Sequence, residues 1–185
     1  MIAMQSMLFV PGTKPDRFAK ALASGADCVC IDLEDAVPAG EKDSARAAAV
    51  AAVAELDDAR LAIRINGMMT ARACRRACFG GCRSLPPIIF VPMVESPVEM
   101  AQLRAVLGDV GAKFVPLIET VAGLRAADAI AADPSVAMLM FGGGDFSAQL
   151  GVPFAWEPAR ARPRPARHGG CGCEQARARC ALYPF

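Results

Sequence analysis

The chain has 185 residues, 54% hydrophobic and 21% charged, a balance that belongs to globular proteins and excludes disordered and fibrous classes. Its formal net charge of +1 gives no global attraction to nucleic acid or to a membrane surface. No window reaches the roughly 18 uncharged apolar residues of a membrane helix, and the start MIAMQSMLFVPG lacks the basic region and cleavage site of a signal peptide, so a cytoplasmic protein with reduced thiols is predicted.

In chain order, continuous apolar runs predict strands at SMLFVPG (6–12), ADCVCIDLED (26–35), RLAIRING (60–67), PIIFVPMVES (87–96), KFVPLIET (113–120) and VAMLMFGGGD (136–145). Runs without polar alternation suit strands covered on both faces, as in a parallel sheet. Helices are predicted between them. Pro15 suits a first turn and Gly25 a C′ position for DRFAKALAS. PAGEKDSARAAAVAAVAEL is Ala-rich and strongly helix-forming. Ser96, Pro97 and Glu99 make a capping-box pattern ahead of MAQLRAVL, and TVAGLRAADAIAAD stops before Pro134.

Strand ends at Gly12, Asp35, Gly67, Glu95, Glu119 and Gly144 are spaced by 23, 32, 28, 24 and 25 residues, the period of a βα unit. Six successive units point to a TIM-type (β/α) barrel, which has eight strands and typically about 250 residues; a doubly wound open sheet is the structural alternative. Barrels carry their functional groups at the C-terminal ends of strands. This chain places Asp32, Glu34 and Asp35 there, then Arg64 and Asn66, Glu95, Glu119 and Asp145. Each acid alone could simply cap a following helix. Together, carboxylates on one rim with an Arg, and no His, Cys or Lys at the strand ends other than Cys28 and Cys30, suit a hard cation such as Mg²⁺. A strand-end Arg beside it could clamp a substrate carboxylate.

MLFVPGTKPDRFAKALASGAD, CIDLEDAVPAGEKDSAR, IRING, VPMVESP, PLIETVAG and FGGGDF, in this order and spacing, resemble the citrate lyase beta-subunit-like family of the HpcH/HpaI aldolase superfamily. The resemblance runs over residues 6–155, interrupted around 69–86. It implies that Glu119 and Asp145 bind Mg²⁺, and that Arg64 holds a carboxylate or carbonyl oxygen of the substrate. Glu34 and Asp35 would line the metal site, polarising bound water or orienting Arg64, and with Arg64 would make up the catalytic group. Lys14 and Arg17 would meet the phosphates or adenine end of coenzyme A. The implied reaction is cleavage of a 3-hydroxy acyl-CoA, of citryl-CoA or malyl-CoA type, into an acetyl-type thioester and an oxo acid. A pyruvate-type aldolase or an acyl-CoA thioesterase on the same barrel is the alternative. A small-molecule substrate and a homo-oligomer, trimer or hexamer if the barrel is complete, are also implied.

The chain departs from the family's pattern at Gln5, Met93 and Gly144, where Arg, Lys and an acid are common. More consequentially, residues 156–185 offer no long apolar run, so the barrel is expected to be incomplete, with about six of eight βα units in residues 1–155. An inactive fragment, or a subunit needing a partner, is therefore a third reading. The tail carries six Arg and two Glu, and with residues 69–86 it shares a bias to Arg, Ala, Gly, Pro and Cys that fits translation out of frame. Cys74, Cys78 and Cys82 do not match an iron–sulfur ligand run, and His168, Cys171, Cys173 and Cys180 are poorly spaced for zinc. With Trp156, Tyr183 and Phe185 as its aromatics, the tail reads as a solvated, disordered segment rather than an RNA-binding one.

Overall fold

The computed structural model describes residues 4–67, 86–108, 111–154 and 180–181. In chain order these form β1 (Met7–Pro11), α1 (Phe18–Leu22), β2 (Cys28–Asp32), α2 (Lys42–Leu56), β3 (Leu61–Arg64), β4 (Ile88–Val91), α3 (Pro97–Leu107), β5 (Lys113–Ile118), α4 (Val121–Ala131), β6 (Leu139–Phe141), α5 (Gly143–Leu150) and the two-residue β7 (Cys180–Ala181). The readings of 69–86 and 156–185 lie outside the described residues, save Pro86 and the pair in β7.

Every strand pairs in parallel with the next in sequence, giving the order β1-β2-β3-β4-β5-β6-β7. A doubly wound sheet reverses its order at a switch point; this one does not. The result is a curled part-barrel, as the βα period predicts.

Strand alternation explains why the runs are apolar throughout. On β2, Val29 and Ile31 join the core between sheet and helices, with Phe18 of α1 and Ala45 and Ala49 of α2. Cys28 and Cys30 point the other way, into a second cluster with Ala62, Ile88, Phe90, Val115 and Leu117 on the concave face. Small residues at helical spacing, Ala45, Ala49, Ala52 and Val53, let α2 lie close to the sheet. On α3 the larger Met100, Leu103 and Leu107 fill the same core instead, each fully buried and contributing roughly 1.5–3 kcal/mol of transfer free energy.

The helix ends differ in detail from their sequence signals. Ser96 is the N-cap of α3 and Pro97 its first residue, but the Ser96 side chain makes no cap bond. Glu99 instead accepts from the Glu95 amide at 2.8 Å. Helix α1 stops at Leu22, and Gly25 takes φ +84° in the turn that follows. Asp57 ends α2 in the left-handed region at φ +40°, with no Gly to announce it. Among the described residues no helix is long and apolar enough to cross a membrane.

Candidate active site

The period-2 alternation that places Cys28 and Cys30 on the concave face also places Asp32 there, one step beyond them at the C-terminal end of β2. Its register partner on β3 is Arg64. The two meet side by side: Arg64 Nε donates to Asp32 Oδ1 at 2.8 Å and Nη2 to Oδ2 at 2.6 Å. This bidentate pair fixes the plane of the guanidinium. Phe9 of β1 lies beneath it, with Arg64 Cζ 5.2 Å from the ring centroid, and is braced edge-on by Phe90 at 6.1 Å.

The remaining nitrogen of Arg64 faces the loop after β2. Its Nη1 donates to Asp35 Oδ2 at 3.4 Å and lies 2.9 Å from Glu34 Oε2. The second contact is an ion pair in distance but is not aligned as a hydrogen bond, and buried Glu34 Oε2 has no hydrogen-bond partner among the described residues. Asp32 also organises this loop, accepting from the amides of Glu34 at 2.8 Å and Ala36 at 3.1 Å.

Glu119, 4% exposed, follows β5. Its Oε2 accepts from the Met93 amide at 2.9 Å. Met93 reaches it by adopting φ +56°, a conformation unusual for a side chain without a local hydrogen-bonding group. The other carboxylate oxygen meets Gly142, where an added Cβ would lie 2.4 Å from Glu119 Oε1 and 2.2 Å from its Cγ. Only glycine leaves room for this carboxylate. Asp145 stands in the first turn of α5. That helix is tied to the Glu119 loop by Gln149, whose Oε1 accepts from the Val121 amide at 2.6 Å.

Asp32, Arg64, Glu119, Gly142 and Asp145 line one cavity of about 310 Å³, whose apolar wall includes Phe9, Leu117 and Phe154. A larger groove of about 610 Å³, between Arg104, Lys113 and Ser135 at the opposite end of β5, has no acid among its described lining residues. Arg104 is paired there with Asp133 and Lys113 with the Pro134 carbonyl.

Charge in the site is unevenly shared. Burial works against ionised Arg64, but the hydrogen bonds and charge of Asp32 outweigh it and hold the guanidinium above its ordinary range. Burial likewise opposes ionised Asp32, yet Arg64 and two amides keep its carboxyl low. Glu34 is pushed up to about 7, chiefly by burial; Arg64 counteracts this, while Asp35, Glu119 and Asp32 add to it. Glu119 is raised by burial first, against the Met93 bond, and by the charge of Asp145. Burial lifts the Cys28 thiol to about 12 and Cys30 well above its ordinary value, which leaves both as unreactive wall residues.

The residues expected from the sequence thus fall into two groups. Arg64, Glu34 and Asp35 come together, and Glu119 and Asp145 share the cavity with Arg64. Lys14 and Arg17 sit at the same end of the sheet, in the exposed turn before α1, outside the cavity lining. Glu95 is exposed and only helps to cap α3. Asp32 was legible as a strand-end acid but not as the principal partner of Arg64; its i, i+2, i+4 relation to Cys28 and Cys30 carries that signal. Phe9, Gly142 and Gln149 had none, because their roles depend on contacts between elements.

The sequence profile of the HpcH/HpaI aldolase/citrate lyase family matches residues 5–157. The chain belongs to this family. The citrate lyase subunit beta-like protein of Mycobacterium tuberculosis is 39% identical over 147 residues, covering 78% of this chain and 49% of that protein. The L-malyl-CoA/beta-methylmalyl-CoA lyase of Cereibacter sphaeroides is 31% identical over 158 residues, covering 78% and 50%. The chain therefore spans about half the length of these curated relatives. Among solved structures, the protein CitE from M. tuberculosis in complex with magnesium, acetoacetate and coenzyme A superposes with a TM-score of 0.69 at 32% identity, over 83% of this chain and 54% of that one. The family's barrel fold agrees with the sequential parallel sheet.

The site fits the magnesium ion found in that structure. Two oxygen-donor carboxylates face one cavity, Gly142 leaves space against one of them, and the neighbouring negative charge raises its carboxyl. Mg²⁺ characteristically takes one or two carboxylates and leaves its other positions to water and substrate. Among the described residues no three His, Cys, Asp or Glu form a closed cage.

Proposed function

We propose that the chain carries the active-site half of a Mg²⁺-dependent carbon–carbon lyase acting on a 3-hydroxy acyl-CoA. The observation that supports this most is the convergence of Arg64, Glu119 and Asp145 on one cavity at the C-terminal ends of the strands. The names of its relatives supply the substrate class: an L-malyl-CoA lyase and a protein solved with acetoacetate and coenzyme A.

Glu119 and Asp145 would hold the cation, which supplies fixed positive charge where cleavage generates negative charge. The residues around it perform the remaining tasks. Arg64, locked by Asp32, presents its Nη1 edge to an incoming carboxylate or carbonyl oxygen, and the ligand displaces the weak contacts with Glu34 and Asp35 rather than the bidentate pair. Glu34, with its carboxyl near 7, can exchange a proton at working pH and is the candidate to take the 3-hydroxyl proton. As that O–H bond breaks, the hydroxyl carbon becomes the carbonyl of the oxo acid. The carbon–carbon pair passes to the thioester fragment, which is then protonated to an acetyl-type thioester. Phe9 and Leu117 give the cavity an apolar wall beside this charge. Lys14 and Arg17, in the exposed turn before α1, would meet the phosphates or adenine end of coenzyme A.

The test is product analysis with malyl-CoA or citryl-CoA and Mg²⁺. An oxo acid and an acetyl-type thioester in equal amounts support the lyase. Free coenzyme A with the intact hydroxy acid identifies a thioesterase, and absence of turnover by Mg²⁺-loaded protein indicates a subunit that needs its missing half from a partner.

A further inference from the structure

Lys42 opens α2, where a cation faces the positive end of the helix dipole and is ordinarily disfavoured. Its side chain folds back out of the helix. Its Nζ donates to the Leu33 carbonyl at 2.8 Å and to the Glu34 carbonyl at 2.5 Å, both contacts half-buried. These carbonyls belong to the loop that carries Glu34 and Asp35 to Arg64, and Leu33 is itself buried. The amides of the same loop point inward instead, Glu34 and Ala36 to the Asp32 carboxylate. The loop is therefore held from both sides: Asp32 gathers its amides, and Lys42 gathers its carbonyls.

We propose that Lys42 is a positioning residue of the active site, tying the loop after β2 to α2 so that Glu34 and Asp35 face Arg64. The inference rests on the reading of this cavity as a lyase site, since only then does the loop's placement serve catalysis. Neither carboxylate is bonded to Lys42 through its own side chain in these contacts; the lysine acts through the backbone between them. Two charge-assisted bonds to half-buried carbonyls are strong enough to decide which conformation so short a loop adopts.

The experiment compares amide hydrogen exchange in the wild-type chain, Lys42→Met, Lys42→Gln and Lys42→Arg, without metal or substrate. In Lys42→Met the amides of Glu34, Ala36 and Val37 are expected to exchange about tenfold faster or more, with β2, β3 and the middle of α2 unchanged. Lys42→Gln, which keeps one neutral donor, should fall between, and Lys42→Arg should return close to wild type. Unchanged exchange in Lys42→Met and Lys42→Gln, or acceleration spread evenly through the sheet, would overturn the proposal. Because no turnover enters these rates, a product analysis that returns free coenzyme A with the intact hydroxy acid would count against the lyase reading alone.

Discussion

Arg64 illustrates how one buried cation can organise several acids. Removing it leaves Asp32, 2% exposed, as an uncompensated charge, so Arg64→Met should destabilise the chain by about 3 kcal/mol or more in urea unfolding. Arg64→Lys, which cannot make the bidentate pair, should recover only part of this. The two principal acids around Arg64 respond to pH in opposite senses. Asp32, held low, contributes stability that is present above its unfolded value and lost as pH falls through its folded one. Glu34, raised to about 7 from 4.5, binds a proton more tightly in the folded state, so its contribution is full below pH 4.5 and is lost as pH rises through 7. The melting temperature of the metal-free wild type should therefore decline between pH 5 and 8 as a result of this 4.5-to-7 displacement, and Glu34→Gln should flatten the decline. An equally steep decline in the variant would assign the effect to another group. Gly142 offers a steric test: Gly142→Ala drives a methyl into Glu119 and should weaken Mg²⁺ binding about tenfold or more, read by calorimetry.

At the scale of elements, what was legible in the sequence follows what is local. The six apolar runs and the βα period were readable because burial on both faces demands continuous hydrophobicity. The strand-end acids were readable because the fold places such groups on one rim. Contacts between elements were not: Met93 adopting a left-handed backbone to aim its amide at Glu119, or Gln149 tying α5 to the Val121 amide, leave no mark on their own segments. Helix ends lie between these cases. The capping-box signal located α3, where Glu99 bonds but Ser96 does not, whereas Thr120, which the sequence reading did not single out, caps α4, its hydroxyl accepting from the Gly123 amide at 3.0 Å. Thr120→Ala should cost about 1 kcal/mol and Thr120→Ser much less, as measured by chemical denaturation. An equal loss in both would show that the buried methyl, not the cap, matters.

For the whole molecule, sequential parallel strands bring residues from distant segments to one cavity without any of them being neighbours in sequence: Arg64 from β3, Glu119 from the end of β5 and Asp145 from α5. The chain spans about half of its curated relatives, and large apolar side chains stand exposed beyond β6, with Phe154 at 67%, Leu150 at 50% and Val152 at 44%. Site geometry and barrel completeness are thus separable properties, and the former can be tested on this chain by itself. The most direct measurement is a calorimetric titration of Mg²⁺ into the wild-type chain, Glu119→Gln and Asp145→Asn. The wild type should show one saturable site, absent or at least about tenfold weaker in each variant. Equal Mg²⁺ affinity in all three would contradict the assignment of this cavity as a metal-dependent active site.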